Sequence, residues 1–179
     1  MIHSENVYLI GPMGAGKTTI GRMLAKELDK QFFDSDREIE IRTGVDIPLI
    51  FEYEGEEGFR RRESEVLAEL TKLRGVILAT GGGVILREEN RNVLSRNGFV
   101  VYLRCPVDKQ LERTRKDTHR PLLNTPDPAA CLQALLQVRA PLYESTADIT
   151  IDTGIYSSRQ AVKKILKAYL HYNHENLEH

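Results

Sequence analysis

The chain has 179 residues, 41% of them hydrophobic, and 25 Lys and Arg stand against 26 Asp and Glu for a formal net charge of −1. That is enough apolar material for one core without staples, and the charge balance excludes a nonspecific nucleic-acid binder driven by counterion release. Cys105 and Cys131 form neither a CxxC pair nor a secreted-type framework, and no apolar run approaches the roughly 20 residues of a membrane span, so a reduced, cytoplasmic monomer with no membrane partner is expected.

Val7 to Ile10 is the first apolar run suited to a buried parallel strand. Gly11 to Thr18, GPMGAGKT, follows directly and matches GxxxxGK[ST] at every fixed position. The spacing of Ile20, Met23, Leu24 and Leu28 then predicts a helix with one apolar face. Strand, glycine loop and helix together predict a nucleoside triphosphate site, in which backbone N–H groups of a loop without Cβ atoms surround phosphate oxygens. Gly14, Ala15, Gly16, Lys17, Thr18 and Thr19 would hold the phosphates. Lys17 would reach the β and γ phosphates, and the Thr18 hydroxyl would ligate Mg²⁺.

A short second strand at Phe32 and Phe33 runs into Asp34-Ser35-Asp36. Asp34 suits Mg²⁺ through water and Asp36 suits an acceptor hydroxyl, while the alternative has Ser35 or Asp36 capping the next helix. Gly55 to Glu63, GEEGFRRRE, sets Arg60, Arg61 and Arg62 at an expected helix start, where the dipole disfavours cations and an anionic ligand would explain them. Val66, Leu67, Leu70 and Leu73 continue that helix, Val76 to Ala79 forms a third strand, and Gly81-Gly82-Gly83 can bring bare backbone against a ligand. Phe99 to Leu103 is a fourth strand. Residues 109–128 mix cations and prolines with few apolar anchors and read as a mobile flap, and Arg139 stands beside Pro141-Leu142-Tyr143. Ile149 to Ile151 is a fifth strand. His171 and His174 share a helix face without an identified ligating partner, and Leu177 to His179 reads as the start of an expression tag after a single domain over 1–176.

The alternation predicts an α/β fold of three layers, α/β/α, with a five-stranded parallel sheet and ligands at the carboxyl ends of its strands. A guanine-reading NKxD is absent, since Thr71-Lys72-Leu73-Arg74 ends in a cation, and the GTPase reading falls. A small-molecule kinase and a nucleotide-controlled binding module remain.

With GPMGAGKTT, FxDSD at Phe33 to Asp36, GExxFRxxE at Gly55 to Glu63, GGG at 81–83, RPLL at Arg120 to Leu123 and RxPLY from Arg139, nearly the whole chain resembles the shikimate kinases. The resemblance implies a P-loop nucleotide-kinase-like fold with a mobile lid, and transfer of the γ-phosphoryl of ATP to the 3-hydroxyl of shikimate with Mg²⁺. It further implies that Arg60 and Arg139 clamp the substrate carboxylate, that Asp36 takes hydrogen bonds from the ring hydroxyls, and that Gly81, Gly82 and Gly83 face the substrate. Arg120 becomes a lid arginine over the phosphates, Arg113 packs on adenine, and Thr153 lies in the adenine loop. The runner-up is a kinase for another small acceptor such as gluconate or a nucleoside monophosphate.

Overall fold

The computed structural model describes residues 5–117 and 123–175. Along the chain run β1 (Val7–Ile10), α1 (Lys17–Leu28), β2 (Gln31–Asp34), α2 (Ser35–Thr43), α3 (Ile47–Leu70) and β3 (Val76–Ala79). A 3₁₀ turn (Val84–Leu86) then leads to α4 (Glu88–Asn97), β4 (Phe99–Arg104), α5 (Val107–Thr114), α6 (Pro128–Thr146), β5 (Ile149–Asp152) and α7 (Ser158–Glu175). The five strands form one sheet in the order β2-β3-β1-β4-β5, and every neighbouring pair is parallel.

The two sides of the sheet follow from the period-2 alternation of the strands. Val7, Leu9, Ile77, Val101 and Leu103 pack with Ile20 and Leu24 of α1 and with Ala161, Val162 and Ile165 of α7. Tyr8, Ile10, Leu78, Val100 and Tyr102 face the other way, onto Phe59 and Leu67 of α3, Leu94 of α4 and Tyr143 of α6. Since both faces are covered, β1, β3 and nearly all of β4 are buried continuously, as their uninterrupted apolar sequences require. The central strand β1 delivers the glycine loop to the carboxyl edge, between the chain segments that follow β3 and β4.

Three local expectations need correction. Residues 109–114 of the expected flap belong to α5. The buried face of that helix is polar and so leaves no apolar period: Gln110 donates Nε2–H to the Cys105 carbonyl (2.8 Å), and the Thr114 hydroxyl donates to the Gln110 carbonyl (2.6 Å). Leu73 lies beyond α3 and is 41% exposed. The helix ends before it because the Thr71 hydroxyl bonds back to the Leu67 carbonyl (2.9 Å) and the chain turns at Gly75, φ +70°. Finally, Arg60, Arg61 and Arg62 do not start a helix. α3 begins at Ile47 and is interrupted at Gly55 (φ 68°, ψ −177°), so the arginines fall after the first turn that follows the break. Arg62 is accompanied by a neighbouring carboxylate, bonding Glu54 through Nε and Nη2 (2.8 and 2.6 Å).

Candidate active site

The carboxyl edge of the sheet opens into a cleft of about 720 Å³ lined by Gly14, Ala15, Gly16, Lys17, Thr18, Thr19, Asp34, Asp36, Gly81, Gly82, Arg113 and Thr153. The nucleotide end is built first by β1 and α1. Gly16, at φ +92°, turns the loop into α1 from the left-handed region, which directs the first N–H groups of the helix into the cleft without a capping side chain. Lys17 Nζ donates to the carbonyls of Gly11 (2.6 Å) and Pro12 (2.8 Å), spanning the loop it belongs to. Arg113, on the last turn of α5, reaches across to donate to Gly14 O (3.0 Å) and Thr153 O (2.8 Å). Its guanidinium thereby joins the glycine loop to the segment after β5, and the two residues expected near adenine meet.

The carboxylates come from the end of β2. Asp34, not Ser35 or Asp36, caps α2: its Oδ1 accepts from the N–H groups of Asp36 (3.0 Å) and Arg37 (3.3 Å). Its other oxygen, Oδ2, accepts the Thr18 hydroxyl at 2.8 Å. A hydroxyl and one carboxylate oxygen side by side at the phosphate end make a hard oxygen donor set, suited to Mg²⁺, which keeps waters and substrate phosphates as its remaining ligands. No group of three or more His, Cys, Asp or Glu placed to hold a metal ion occurs among the described residues. Ser35 is wholly buried, and its Oγ accepts the Gly81 N–H (3.1 Å), tying the end of β2 to the turn after β3.

The acceptor end is organised around Gly81-Gly82-Gly83. None of the three has positive φ, so at Gly81 and Gly83 the lack of a Cβ serves close approach rather than backbone conformation. A Cβ on Gly81 would lie 2.7 Å from Glu63 Oε2 and 2.8 Å from Asp36 Oδ1; on Gly82, 3.4 Å from Arg139 Nη1; on Gly83, 2.3 Å from Arg60 Nη2. One short turn is therefore the meeting point of Asp36 from α2, Arg60 and Glu63 from α3 and Arg139 from α6. Arg60 and Arg139 are 7% and 4% exposed and do not line the open cleft; with Gly83 they lie against its glycine edge.

Glu63 is the functional neighbour that sequence reasoning missed. It is 0% exposed and accepts Arg60 Nη1 at 2.8 Å, while Arg60 Nη2 reaches the half-exposed Glu56 at 3.3 Å. Burial pushes the Glu63 carboxyl above its ordinary range, against the pull of Arg60, Arg139 and Arg87. Burial also weighs against the charge on Arg60, but Glu63 and Glu56 outweigh it and hold the guanidinium ionised. The three-residue spacing from Arg60, one helical turn, was the available signal. Arg120 lies outside the described residues, as do Leu177 to His179.

A parallel sheet of order 2-3-1-4-5, a glycine loop feeding α1 and a hydroxyl–carboxylate pair at the phosphate end define a P-loop phosphotransferase. The shikimate kinase family model matches residues 13–170. A shikimate kinase of Methylococcus capsulatus is 59% identical over 169 residues, 94% of each chain, and one of Psychrobacter is 53% identical over 97% of this chain and 96% of its own. Among solved structures, a shikimate kinase from Acinetobacter baumannii in complex with shikimate superposes with a TM-score of 0.90 at 53% identity, covering 92% of each chain. The chain belongs to the shikimate kinase family.

Proposed function

We propose that this kinase transfers the γ-phosphoryl group of ATP to the 3-hydroxyl of shikimate, giving shikimate 3-phosphate and ADP, and that the residues gathered above divide the work as follows. The observation that carries this reading is the convergence of two buried guanidinium groups and one carboxylate on a glycine turn at the edge of the phosphate cleft. A cyclohexene carboxylate with three hydroxyls needs that combination. Arg60 and Arg139 pair with the carboxylate, for which arginine's planar fork is suited, and Asp36 accepts hydrogen bonds from ring hydroxyls, including the attacking one.

The loop N–H groups and Lys17 hold the β and γ phosphates in line with that hydroxyl. Thr18 and Asp34 would hold Mg²⁺, which when bound neutralises charge on the β and γ oxygens. Asp36 orients the hydroxyl and is the group placed to receive its proton; in a loose phosphoryl-transfer transition state orientation carries more of the effect than proton removal. Arg113 and Thr153 shape the adenine end, and Arg120, on the strength of its motif alone, acts as the lid arginine. No helix among the described residues is long and apolar enough to cross a membrane.

A coupled ADP-release assay across shikimate, gluconate and nucleoside monophosphates tests the acceptor. Shikimate alone should accelerate turnover, and acceleration by another member of the panel without shikimate would transfer the reading to that acceptor. In the same assay Arg60→Ala should raise KM for shikimate at least tenfold, since hydrogen bonds to a charged group contribute about 1.5–3 kcal/mol each. An unchanged KM would remove Arg60 from the clamp. Asp34→Asn keeps an oxygen to cap α2 but removes the charge beside Thr18, and should raise the Mg²⁺ concentration for half-maximal rate about tenfold. A magnesium titration superimposable on the wild type would place the ion elsewhere.

A further inference from the structure

A turn of three glycines has no side chains with which to hold itself in place, yet Asp36, Glu63, Arg60 and Arg139 all pack against it. Its position must therefore come from its backbone hydrogen bonds. Gly81 donates N–H to Ser35 Oγ (3.1 Å) and accepts from Val84 N–H (3.2 Å), and Gly83 accepts from Leu86 N–H (3.2 Å). The middle carbonyl, that of Gly82, accepts the hydroxyl of Tyr143 at 2.5 Å. Tyr143 lies on α6 one turn after Arg139, is 0% exposed, and stacks on Tyr102 of β4 with ring centroids 4.9 Å apart. Residues four apart share a helix face. A single face of α6 thus presents a guanidinium beside Gly82 and a hydroxyl on the carbonyl of the same glycine.

We propose that Tyr143 is a positioning residue of the acceptor site, holding the Gly82 carbonyl so that the glycine turn keeps a fixed relation to the guanidinium of Arg139 one helical turn away. Because each peptide is planar, fixing the Gly82 carbonyl also fixes the direction of the Gly83 N–H, so the hydroxyl sets the orientation of two of the three glycines. Burial pushes the phenol of Tyr143 well above its ordinary range, against the pull of the neighbouring Arg139 guanidinium, so it stays protonated and able to donate at neutral pH. This assignment rests on the reading of Arg60 and Arg139 as the acceptor clamp.

Tyr143→Phe removes one oxygen and retains the ring against Tyr102. Its KM for shikimate should rise about tenfold, as for a buried carbonyl left without its donor, while KM for ATP stays within twofold and kcat within threefold. The pH profile should keep the wild-type shape. Tyr102→Leu damages the same packing without touching Gly82; it should lower Tm while leaving both KM values near wild type. A Tyr143→Phe enzyme with an unchanged KM for shikimate overturns the proposal. So does a Tyr102→Leu enzyme whose KM for shikimate rises equally, because the effect would then travel through packing. If wild-type enzyme is not stimulated by shikimate at all, the functional reading fails first; if it is stimulated and Tyr143→Phe behaves as wild type, only the positioning role falls.

Discussion

Lys17→Ala should lower kcat by about 10³-fold, the scale seen when one preorganised donor to transition-state charge is removed, while Tm falls by only a few degrees. The small stability cost follows from the present partners of the ammonium group. Its bonds run to the carbonyls of Gly11 and Pro12 from a side chain that lines the open cleft, so water can enter where the ammonium was. The large catalytic cost follows from the same geometry. A cation held within the loop by two neutral carbonyls is close to where the β and γ phosphates must sit, and a charge-assisted bond to phosphate is about twice as strong as a neutral one, so the nucleotide can draw it across. Lys17→Arg should not restore the rate, because a planar fork cannot occupy a loop that admits a compact point charge. Steady-state turnover at saturating ATP and shikimate checks both variants. A loss smaller than tenfold for Lys17→Ala would show that the backbone N–H groups and the metal neutralise the transferring group without it.

The sequence made the phosphate end legible because a P-loop needs its glycines, lysine and threonine at fixed spacing between a strand and a helix, and because doubly covered strands must be continuously apolar. β1, β3 and β4 could be located for that second reason, whereas the edge strands β2 and β5, only partly buried, showed shorter apolar stretches beside polar residues. The acceptor end was legible only as separate fragments. Arg60 and Arg139 stand 79 positions apart, and nothing local says that each lies against a glycine of one turn. Glu63 and Tyr143 stood inside quoted motifs without a role, because a buried carboxylate in a charged run looks like a solvated face, and a tyrosine in RxPLY looks like core. α5 was hidden for the converse reason: its buried positions, Gln110 and Thr114, are polar and satisfied by backbone.

Glu63→Ala should be the most destabilising single change in the site, costing about 3 kcal/mol or more, because it leaves the buried Arg60 guanidinium with only the half-exposed Glu56 as counter-charge. For a chain of this size that corresponds to a Tm lower by about 10 °C or more, measurable by calorimetry. The pair itself is no gift to stability: Arg60 Nε and Glu63 Oε2 are buried with no hydrogen-bond partner among the described residues, and the Glu63 carboxyl is pushed up by burial. A group whose folded pKa is raised binds its proton more tightly in the folded state, so its contribution is complete below the ordinary carboxylate value of 4.5 and is lost as pH rises through the folded pKa. The wild type should therefore gain stability relative to Glu63→Gln as pH falls toward 4.5, and a difference flat with pH would mean that Glu63 titrates normally. The double variant Arg60→Met/Glu63→Leu separates stability from function. Replacing a whole buried ion pair by apolar groups of similar volume is often neutral or stabilising, so its Tm should return to within a few degrees of the wild type. Its acceptor-stimulated turnover should not return, because the guanidinium that Glu63 holds against the glycine turn is gone. Recovery of both would mean that the pair is structural, and recovery of neither would mean that the site depends on the charges for its fold.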